Sequence, residues 1–391
     1  MLDVDDQRSD EEKSVNETTR MIREIGVANF LKRVYDDEAA DLCQLLRDLD
    51  KDHKLTPTGL EKKSQLQLKQ MLKRKAVIIG KQRKNISIPN THDAVLGLLS
   101  ASSNILIVSG AGISVNRGIP DFRSPDGIYD QIRRCNYPEI DEPEQIFDMA
   151  TFVAHPKLFY SVAKKILPTH FQPGPAHCFV KDNNKLLRNY TQNIDSLERK
   201  AGVDRLLECH GSFAFLECLR CSAKYNTDDF AQTITDGGVP LCTERCMKEY
   251  RRRRKKRKSD SIDNSAATSL DVSDQAVVAF FDTRNEVIPY LKPTITFFGE
   301  DVHSDYEQRV LDDSQVADLI IVLGTSMSVA PISEFISHIP HKVPIVVINK
   351  TPIKGLDPDV FLQGDIDVIV SELLVRMNDV KEEEDKKKCI V

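Results

Sequence analysis

The sequence lacks any run of about 18 consecutive apolar residues, the length that a membrane-spanning helix needs, so we expect no membrane segment. Its first 15 residues are acidic and polar, unlike a signal peptide or a basic transit peptide, so we expect no secretion. Internal repeats are also lacking. What remains is a chain of 391 residues, 40% hydrophobic and 29% charged, which is typical of a globular protein of two or three domains.

The chain has nine cysteines, an odd number, and no export signal is expected, so a disulfide framework is not expected either. Four of them form two close pairs, Cys218 with Cys221 and Cys242 with Cys246, and 20 residues separate the pairs. This spacing predicts a tetrahedral four-thiolate zinc site, with a structural role because no position is left open. Redox-active or free thiols are the alternative. Cys209 is interpreted as a buried strand residue.

The formal net charge is −6, but basic residues are concentrated locally. Eight of them are consecutive, from Arg251 to Lys258. Such a run is typical of a nuclear import signal, and it would also fit a weak nucleic-acid or nucleosome contact, or a solvated loop. No aromatic residue lies among them, which argues against stacking on bases.

The hydrophobic pattern divides the chain into segments. Residues 1–15 have few apolar side chains and are predicted to be disordered. Apolar residues then recur at spacings of three and four, with Pro57 at a helix start, so residues 16–90 are predicted to be a helical module and linker. The module would pack on the core or, alternatively, dock a partner. Residues 378–391 are a charged tail that we expect to be unfolded.

Residues 91–377 have the pattern of an α/β domain. A helix over 91–102 is predicted to precede a buried strand over 104–110. Further short β-branched runs lie at 187–191, 206–209, 319–323 and 345–348. Helical stretches separate several of them, which predicts a doubly wound, Rossmann-like parallel sheet. The sheet-and-helix parts are assigned to 91–125, 170–213 and 286–377, and a smaller lobe to 126–169 with a cysteine-rich module at 214–285.

A glycine-containing segment, GAGISVNRGIPDFRS, follows the first strand directly. Gly110 and Gly112 would allow backbone to approach a pyrophosphate, and the next helix could offer its N–H groups. Val115 stands where a third glycine would be, so the glycine spacing alone is a weak signal of dinucleotide binding.

This segment is very similar to the first signature of the sirtuins, the silent-information-regulator family of NAD-dependent protein deacylases. The family's other signatures follow in order: TQNID from Thr191, His210-Gly211, the two cysteine pairs, KPTITFFGE from Lys292, GTS from Gly324, Asn349-Lys350 and GDIDVI from Gly364. The resemblance covers roughly residues 104–374. It is strongest to the nuclear, histone-directed branch that includes the yeast silencing deacetylases.

The resemblance implies an NAD site. Its residues would be Gly110, Ala111, Gly112, Ile119, Asp121, Phe122, Arg123, Tyr129, Gln192, Asn193, Ile194, Asp195, Gly324, Thr325, Ser326, Asn349, Lys350, Thr351 and Ile366. By the same resemblance, Ile119 and Asp121 would contact the nicotinamide carboxamide, and Asn193 would position the ribose and water. Thr351 replaces the family's usual acidic residue. From the residues alone, Asp121 and Asp195 would instead be interpreted as carboxylates that cap a turn or a helix.

The resemblance also implies that His210 is the general base that deprotonates a ribose hydroxyl, with Asn193 beside it. An imidazole suits this role because it titrates near neutrality. The alternative is a histidine that caps a turn before Gly211. The acetyl-lysine peptide would lie as an added strand between two edges, in contact with Phe297, Phe298, Gly299, Glu300 and Val329. One of the two phenylalanines should be core, because neighbours on a strand face opposite ways.

By resemblance, the expected reaction is removal of acetyl from protein lysines, for example of histone tails. The products would be nicotinamide, free lysine and O-acetyl-ADP-ribose. We also expect a role in chromatin silencing and a silencing-complex partner for the helical module. The expected location is the nucleus, and a cytoplasmic pool would also be compatible. Protein mono-ADP-ribosylation and a non-enzymatic, NAD-sensing chromatin scaffold are the alternatives, and a scaffold would have no need for both His210 and Asn193.

Overall fold

The computed structural model describes residues 16–50, 55–243, 245–252, 288–300 and 305–388, with side chains up to residue 378. The strands are β1 (Ile105–Ser109), β2 (Leu186–Thr191), β3 (Leu206–Glu208), β4 (Gly211–Cys218), β5 (Lys224–Asn226), β6 (Leu291–Ile295), β7 (Leu319–Leu323), β8 (Ile345–Asn349) and β9 (Val360–Gln363). The helices of the N-terminal part are Glu17–Asp36, Leu42–Asp48, Pro57–Glu61 and Gln65–Lys81. Those that follow are His92–Ala101, Gly112–Val115, Ile128–Cys135, Met149–Ala154, Pro156–Ala163, Pro175–Lys181, Leu197–Ala201, Ala231–Thr235, Tyr306–Val316 and Ile366–Lys388. Short 3₁₀ helices lie at Pro143–Phe147, Lys164–Ile166, Pro168–His170, Thr227–Phe230 and Ile332–His338.

A six-stranded parallel sheet has the order β3-β2-β1-β7-β8-β9, and helices cover both faces. Strands β1, β7 and β8 are buried at every position, as expected for short apolar strands between two helical layers. The predicted doubly wound sheet is therefore confirmed, and β9 is a strand that the sequence analysis did not identify. The strand order reverses between β1 and β7, which is where such sheets bind ligands.

A smaller lobe contains a second, antiparallel sheet of order β5-β4-β6 and the short helices between residues 128 and 170. Its own core is rich in aromatic rings that meet edge to face, around Phe147, Phe152, Phe159 and Phe297. Strand β6 belongs to this small sheet, so the assignment of everything from residue 286 onward to the large domain is wrong for β6. The pairing of β4 with β6 joins distant residues and leaves no local pattern in the sequence.

The N-terminal helices form a module with its own apolar core, centred on Ile22, Phe30 and Leu46. It also packs on the large domain, at the 3₁₀ helix Ile332–His338. Two glycines permit the contact: Gly26 has a positive φ and its Cα faces the carbonyl oxygen of His338, and a Cβ on Gly80 would lie 2.6 Å from the oxygen of Ser337. Packing on the core, the first of the two interpretations above, is thus present in the fold.

The C-terminal helix begins at Ile366 and continues to Lys388, so the expectation that the tail unfolds after residue 377 is wrong. The tail residues are mostly Glu and Lys, which have high helix propensity and can extend a helix that packing has already nucleated.

The predictions for residues 1–15 and for most of the basic run lie outside the described residues; Arg251 and Arg252 are exposed at the end of a helical segment. No helix in the described ranges is both long and apolar enough to cross a membrane.

Candidate functional site

The turns after β1 and β7 touch backbone to backbone at the carboxyl edge of the parallel sheet. The N–H of Gly112 donates to the oxygen of Gly324 at 2.8 Å, and the N–H of Gly110 donates to Leu323 at 3.0 Å. A Cβ on Gly110 would lie 2.5 Å from the Cβ of Thr325, and one on Gly112 would lie 2.6 Å from the Cα of Gly324. The glycines are therefore needed for the packing of two turns, in addition to any approach of a phosphate.

Asn193 follows β2 and is buried, with its side-chain amide turned toward the protein. Its Nδ2 lies 3.2 Å from the oxygen of Gly110, 3.4 Å from Oγ of Ser114 and 3.5 Å from Oε1 of Glu198. Gln192, one residue earlier, donates to Oγ1 of Thr325 at 2.5 Å. Hydrogen bonds thus join the loop after β2 to the loops after β1 and β7.

Asp195 is fully enclosed at the start of the helix Leu197–Ala201. Its Oδ1 accepts the N–H of Leu197 at 2.9 Å, so the turn-capping role considered for this carboxylate is present, whereas the N-cap of the helix is Ser196. Burial, together with the neighbouring carboxylate of Glu198, raises the pKa of Asp195 to about 6. Ser114 also hydrogen-bonds to it, so a single hydroxyl faces both Asp195 and the amide of Asn193.

His177, which the sequence analysis did not single out, lies behind Ser114 and is completely buried. Its Nδ1 accepts the N–H of Gly174 at 3.1 Å, so in the neutral ring Nε2 carries the proton and faces Oγ of Ser114 at 3.5 Å. Burial lowers the pKa of His177, which favours this neutral form.

Asp121 organises the loop that follows the short helix Gly112–Val115. Its Oδ1 accepts the N–H groups of Arg123 (2.9 Å) and Ser124 (2.7 Å), so the turn-capping role considered for this carboxylate is present. Phe122 and Tyr129 stand beside it with ring centroids 5.6 Å apart. Ile119 is buried in the same small-lobe core, whereas Arg123 is exposed.

His210 lies between β3 and β4 at the edge of the cleft. Its Nδ1 is 3.1 Å from the oxygen of Gln192, and its Nε2 is 3.0 Å from the oxygen of Ala330. The next residue, Gly211, has a φ of 71°, a left-handed conformation that favours glycine. The ring is half-buried and one of its nitrogens faces the segment that follows Gly324.

The far end of the cleft is formed by the loops after β7, β8 and β9. The buried Asn349 accepts the N–H of Thr325 at 3.1 Å and donates to its oxygen at 2.7 Å. Lys350 is exposed and pairs with Asp365 at 3.4 Å, and Thr351 is exposed. Ile366 is buried in the core on one face of the sheet.

The expected peptide edge is a tight turn after β6. Phe297 is 1% exposed and Phe298 is 50% exposed, so one of the two is core, as expected for neighbours on a strand. Glu300 points inward: its Oε2 accepts the N–H of Phe297 at 2.7 Å and pairs with Nζ of the buried Lys292 at 2.9 Å. Gly299 is exposed, and Val329 is half-buried on the opposite segment.

The four paired cysteines come together at the end of β4. Their sulfur atoms lie within 4.8 Å of one another, and Sγ of Cys221 is 3.6 Å from that of Cys242. A zinc ion with four sulfur ligands at about 2.3 Å sets its sulfurs roughly 3.8 Å apart, so the cluster fits a structural zinc ion. Burial alone would raise the pKa of Cys242, but hydrogen bonds from Tyr225 and the other three thiols bring it down to about 7. Cys209 lies outside the cluster and is buried after β3, as predicted.

The structure therefore brings Gly110, Asn193, Asp195, His210 and Thr325 to one edge of the sheet. Sequence reasoning missed three buried partners of these residues: Ser114, His177 and Glu198. Ser114 stands inside the first motif and Glu198 follows TQNID by three residues, so only their positions near selected residues could have indicated them. His177 lies outside every motif, and only its burial identifies it.

Comparison with known proteins is consistent with this geometry. The Sir2 family model matches residues 110–331. The NAD-dependent histone deacetylase sirtuin-1 of Drosophila melanogaster is 39% identical over 302 residues, which cover 76% of this chain and 34% of that protein. The NAD-dependent histone deacetylase SIR2 of Eremothecium gossypii is 36% identical, over 79% of this chain and 56% of that protein. For sir2 of Schizosaccharomyces pombe the identity is 33%, over 92% of this chain and 74% of that protein.

A solved structure of Sir2 with a p53 peptide and NAD+ superposes with a TM-score of 0.53 at 26% identity, over 74% of this chain and 99% of that one. The present chain spans 34% and 56% of the lengths of the fruit-fly and Eremothecium relatives. The family match covers more than half of the chain and includes the site residues from Gly110 to Ala330. The chain therefore belongs to the Sir2 family.

Proposed function

We propose that the protein is an NAD-dependent enzyme that removes acetyl groups from lysine side chains of other proteins, with nicotinamide and O-acetyl-ADP-ribose as the other products. The observation that carries the proposal is the convergence of Asn193, Asp195 and His210 at the switch point of the sheet. Relatives named NAD-dependent histone deacetylases, and a solved Sir2 structure named for a deacetylated p53 peptide and 3′-O-acetyl ADP-ribose, support it.

NAD is assigned to the cleft between the turns after β1 and β7. NAD would supply the ribose carbon that accepts the acyl oxygen, with nicotinamide as leaving group. Gly110, Gly112 and Gly324 keep this edge free of side chains, and Asn349 holds the loop that carries Thr325. The enclosed Asp195 and the shielding ring of Phe122 suit a dry pocket, in which oriented polar groups act more strongly than in water.

His210 is assigned as the base. In the tautomer whose Nδ1–H donates to the oxygen of Gln192, Nε2 carries a lone pair. Nε2 lies 3.0 Å from the oxygen of Ala330, and a ribose hydroxyl would have to replace that oxygen as its partner. Nε2 is then available for a hydroxyl proton. Asn193 would hold the ribose and a water molecule through its amide.

The acylated lysine is assigned to the gap between the turn at Phe298 and the segment that carries Val329. The exposed backbone around Gly299 offers hydrogen bonds to an extended peptide, which is how a strand is added to an edge. Glu300, expected as a peptide contact, would act indirectly, because its carboxylate holds the turn from inside.

Histone tails in the nucleus are the proposed substrates, because the relatives are named histone deacetylases.

We further propose that the run from Arg251 to Lys258 directs nuclear import, with a weak nucleosome contact as the second use. For residues 16–80, a silencing-complex partner is proposed in addition to the packing on the core. A tagged chain without the basic run should lose nuclear accumulation and retain its activity in solution.

The proposed function is tested with an acetylated histone peptide, with and without NAD. We expect loss of acetyl only with NAD and only when His210 is intact. His155→Ala is the matched control, since this exposed histidine precedes the small-lobe helix Pro156–Ala163 and makes no described hydrogen bond to the cleft residues. Deacetylation by His210→Ala at the rate of His155→Ala would refute the assigned base, and no deacetylation by the wild-type protein would refute the function.

A further inference from the structure

Glu198 is a buried carboxylate to which the proposed reaction assigns no role. It stands in the second position of the helix Leu197–Ala201 and is 1% exposed. A charged group is costly to bury unless its hydrogen bonds are made inside the protein. Where those hydrogen bonds go indicates what the carboxylate does.

All the described contacts of its Oε1 are with polar groups of the site. Oγ of Ser109 donates at 2.9 Å, Oγ1 of Thr191 donates at 2.5 Å, and Nδ2 of Asn193 lies at 3.5 Å. Ser109 ends β1 and Thr191 ends β2, so one oxygen atom joins the ends of both strands to the loop of Asn193.

Thr191 connects the carboxylate to Asn193 a second time. Its Oγ1 accepts the N–H of Asn193 at 3.0 Å, and the same hydroxyl donates its proton to Glu198. The backbone and the side chain of Asn193 are therefore both held, directly or through one hydroxyl, by the carboxylate.

The orientation of the Asn193 amide follows from these contacts. Nδ2 faces three acceptors, namely the oxygen of Gly110, Oγ of Ser114 and Oε1 of Glu198. Within the part of the chain that the structure describes, no hydrogen bond to Oδ1 of Asn193 is present. The amide nitrogen is thus committed to the protein, and the amide oxygen is left as an acceptor for a ligand hydroxyl or water.

We propose that Glu198 is a positioning residue, which fixes the Asn193 amide with its oxygen toward the cleft. It acts through Asn193 and does not touch the substrate. The inference rests on the proposed function for its kinetic consequences, but the orientation of the amide can be measured without any activity.

Glu198→Gln tests the proposal with little change of shape. The NH₂ group of a glutamine at position 198 can face Nδ2 of Asn193, and two donors that face each other repel. This repulsion favours the Asn193 amide with its nitrogen and oxygen exchanged. We expect kcat to fall about tenfold or more, while KM for the acetylated peptide stays within about threefold, because misplaced reacting groups affect turnover more than binding. Thr191→Val, which removes the linking hydroxyl, should show the same split.

The matched control is Asp313→Asn. Asp313 is also a buried carboxylate, held by Arg188 at 2.6 Å and by the hydroxyl of Tyr190 at 2.7 Å, but it lies on the helix Tyr306–Val316 and has no contact with Asn193. This variant should lose thermal stability and keep its kcat at a temperature where it is folded. Equal loss of kcat in both variants would show that burial of any carboxylate matters, and would overturn the proposal.

The side-chain amide of Asn193 reports directly on its orientation. In ¹⁵N-labelled protein, its resonance can be assigned by its loss in Asn193→Asp. We expect it to move in Glu198→Gln and to stay in place in Asp313→Asn. An unmoved resonance in Glu198→Gln overturns this inference alone, whereas an inactive wild-type protein with a moved resonance overturns only the proposed function.

Discussion

Single side chains in this cleft are held by hydrogen bonds within the protein, and each buried polar group has a definite orientation. Ser114 faces His177, Asn193 and Asp195, and one oxygen of Glu198 serves two strands and a loop. Such a network is rigid when every member is satisfied. Small changes to one member should therefore be felt by its neighbours.

The raised pKa of Asp195 predicts how stability depends on pH. Between its unfolded value near 3.8 and its folded value of about 6, the native state binds more protons than the unfolded state, so stability falls as pH rises through this window. Above pH 6 the full cost is present, on the order of 3 kcal/mol. Asp195→Asn should therefore stabilise the protein at pH 8, by several degrees in melting temperature, and not at pH 4. A larger gain at pH 4 than at pH 8 would contradict the assignment.

Gly112→Ala should disrupt the contact between two turns. The new Cβ would lie 2.6 Å from the Cα of Gly324, which is backbone and cannot move aside like a flexible side chain. We expect a loss of about 1–3 kcal/mol of stability and weaker binding of NAD, measured by thermal unfolding and calorimetry. Gly97→Ala is the control, since a Cβ there meets nothing within 4 Å. Equal behaviour of the two variants would show that the turns are not in contact.

At the scale of secondary structure elements, the parallel strands could be predicted because each is a short apolar run. β1, β2, β3, β7 and β8 all lie where the sequence indicated them. β9 was missed because VFLQ is short, mixed and preceded by a loop. The small antiparallel sheet was missed because its strands pair across an insertion, and a local pattern carries no information about such a pairing.

The site could be predicted to the extent that its residues lie in motifs. Asn193, Asp195 and His210 were placed by resemblance, and the structure brings them together. Glu300 was expected to contact the peptide, yet its carboxylate faces Lys292, because the turn at Gly299 points it inward. The direction of a side chain depends on the backbone turn, which the residue type alone does not fix.

The stability of the four-cysteine cluster should depend on zinc. We expect about one tightly held ion per chain, since four thiols at this spacing fit a closed tetrahedral site. A strong chelator should unfold the strands around Cys218 and leave the parallel sheet intact, as judged by hydrogen exchange. Freshly purified protein without metal, or a cluster unaffected by the chelator, would contradict this.

Taken as a whole, the molecule joins a helical module, a six-stranded parallel sheet and a small lobe through a few specific contacts. Arg83 is one of them: its guanidinium donates to the oxygens of Ile339, Pro340, His341 and Val343, just after the 3₁₀ helix Ile332–His338. The module is thereby fastened to the segment that leads away from Ala330, whose carbonyl meets His210.

Arg83→Ala should therefore loosen the module and lower the melting temperature. A hydrogen bond from a charged group contributes about 1.5–3 kcal/mol to stability. The guanidinium of Arg83 makes four such bonds to backbone oxygens, and all four are lost in this variant. Arg83→Lys should recover only part of the loss, because an ammonium group cannot reproduce the planar set of donors. Arg20→Ala, at an exposed helix ion pair, is the control. A melting temperature unchanged by Arg83→Ala would mean that the module is held by its apolar core alone.

In the proposed reaction, the cofactor and the acylated lysine react with each other in one cleft. The most direct measurement follows nicotinamide, deacetylated peptide and O-acetyl-ADP-ribose together in one reaction mixture by mass spectrometry. We expect the three products in equal amounts, and none of them when NAD or the acetylated peptide is left out. Acetyl lost as free acetate without nicotinamide, or nicotinamide released with the acetylated peptide unchanged, would contradict it.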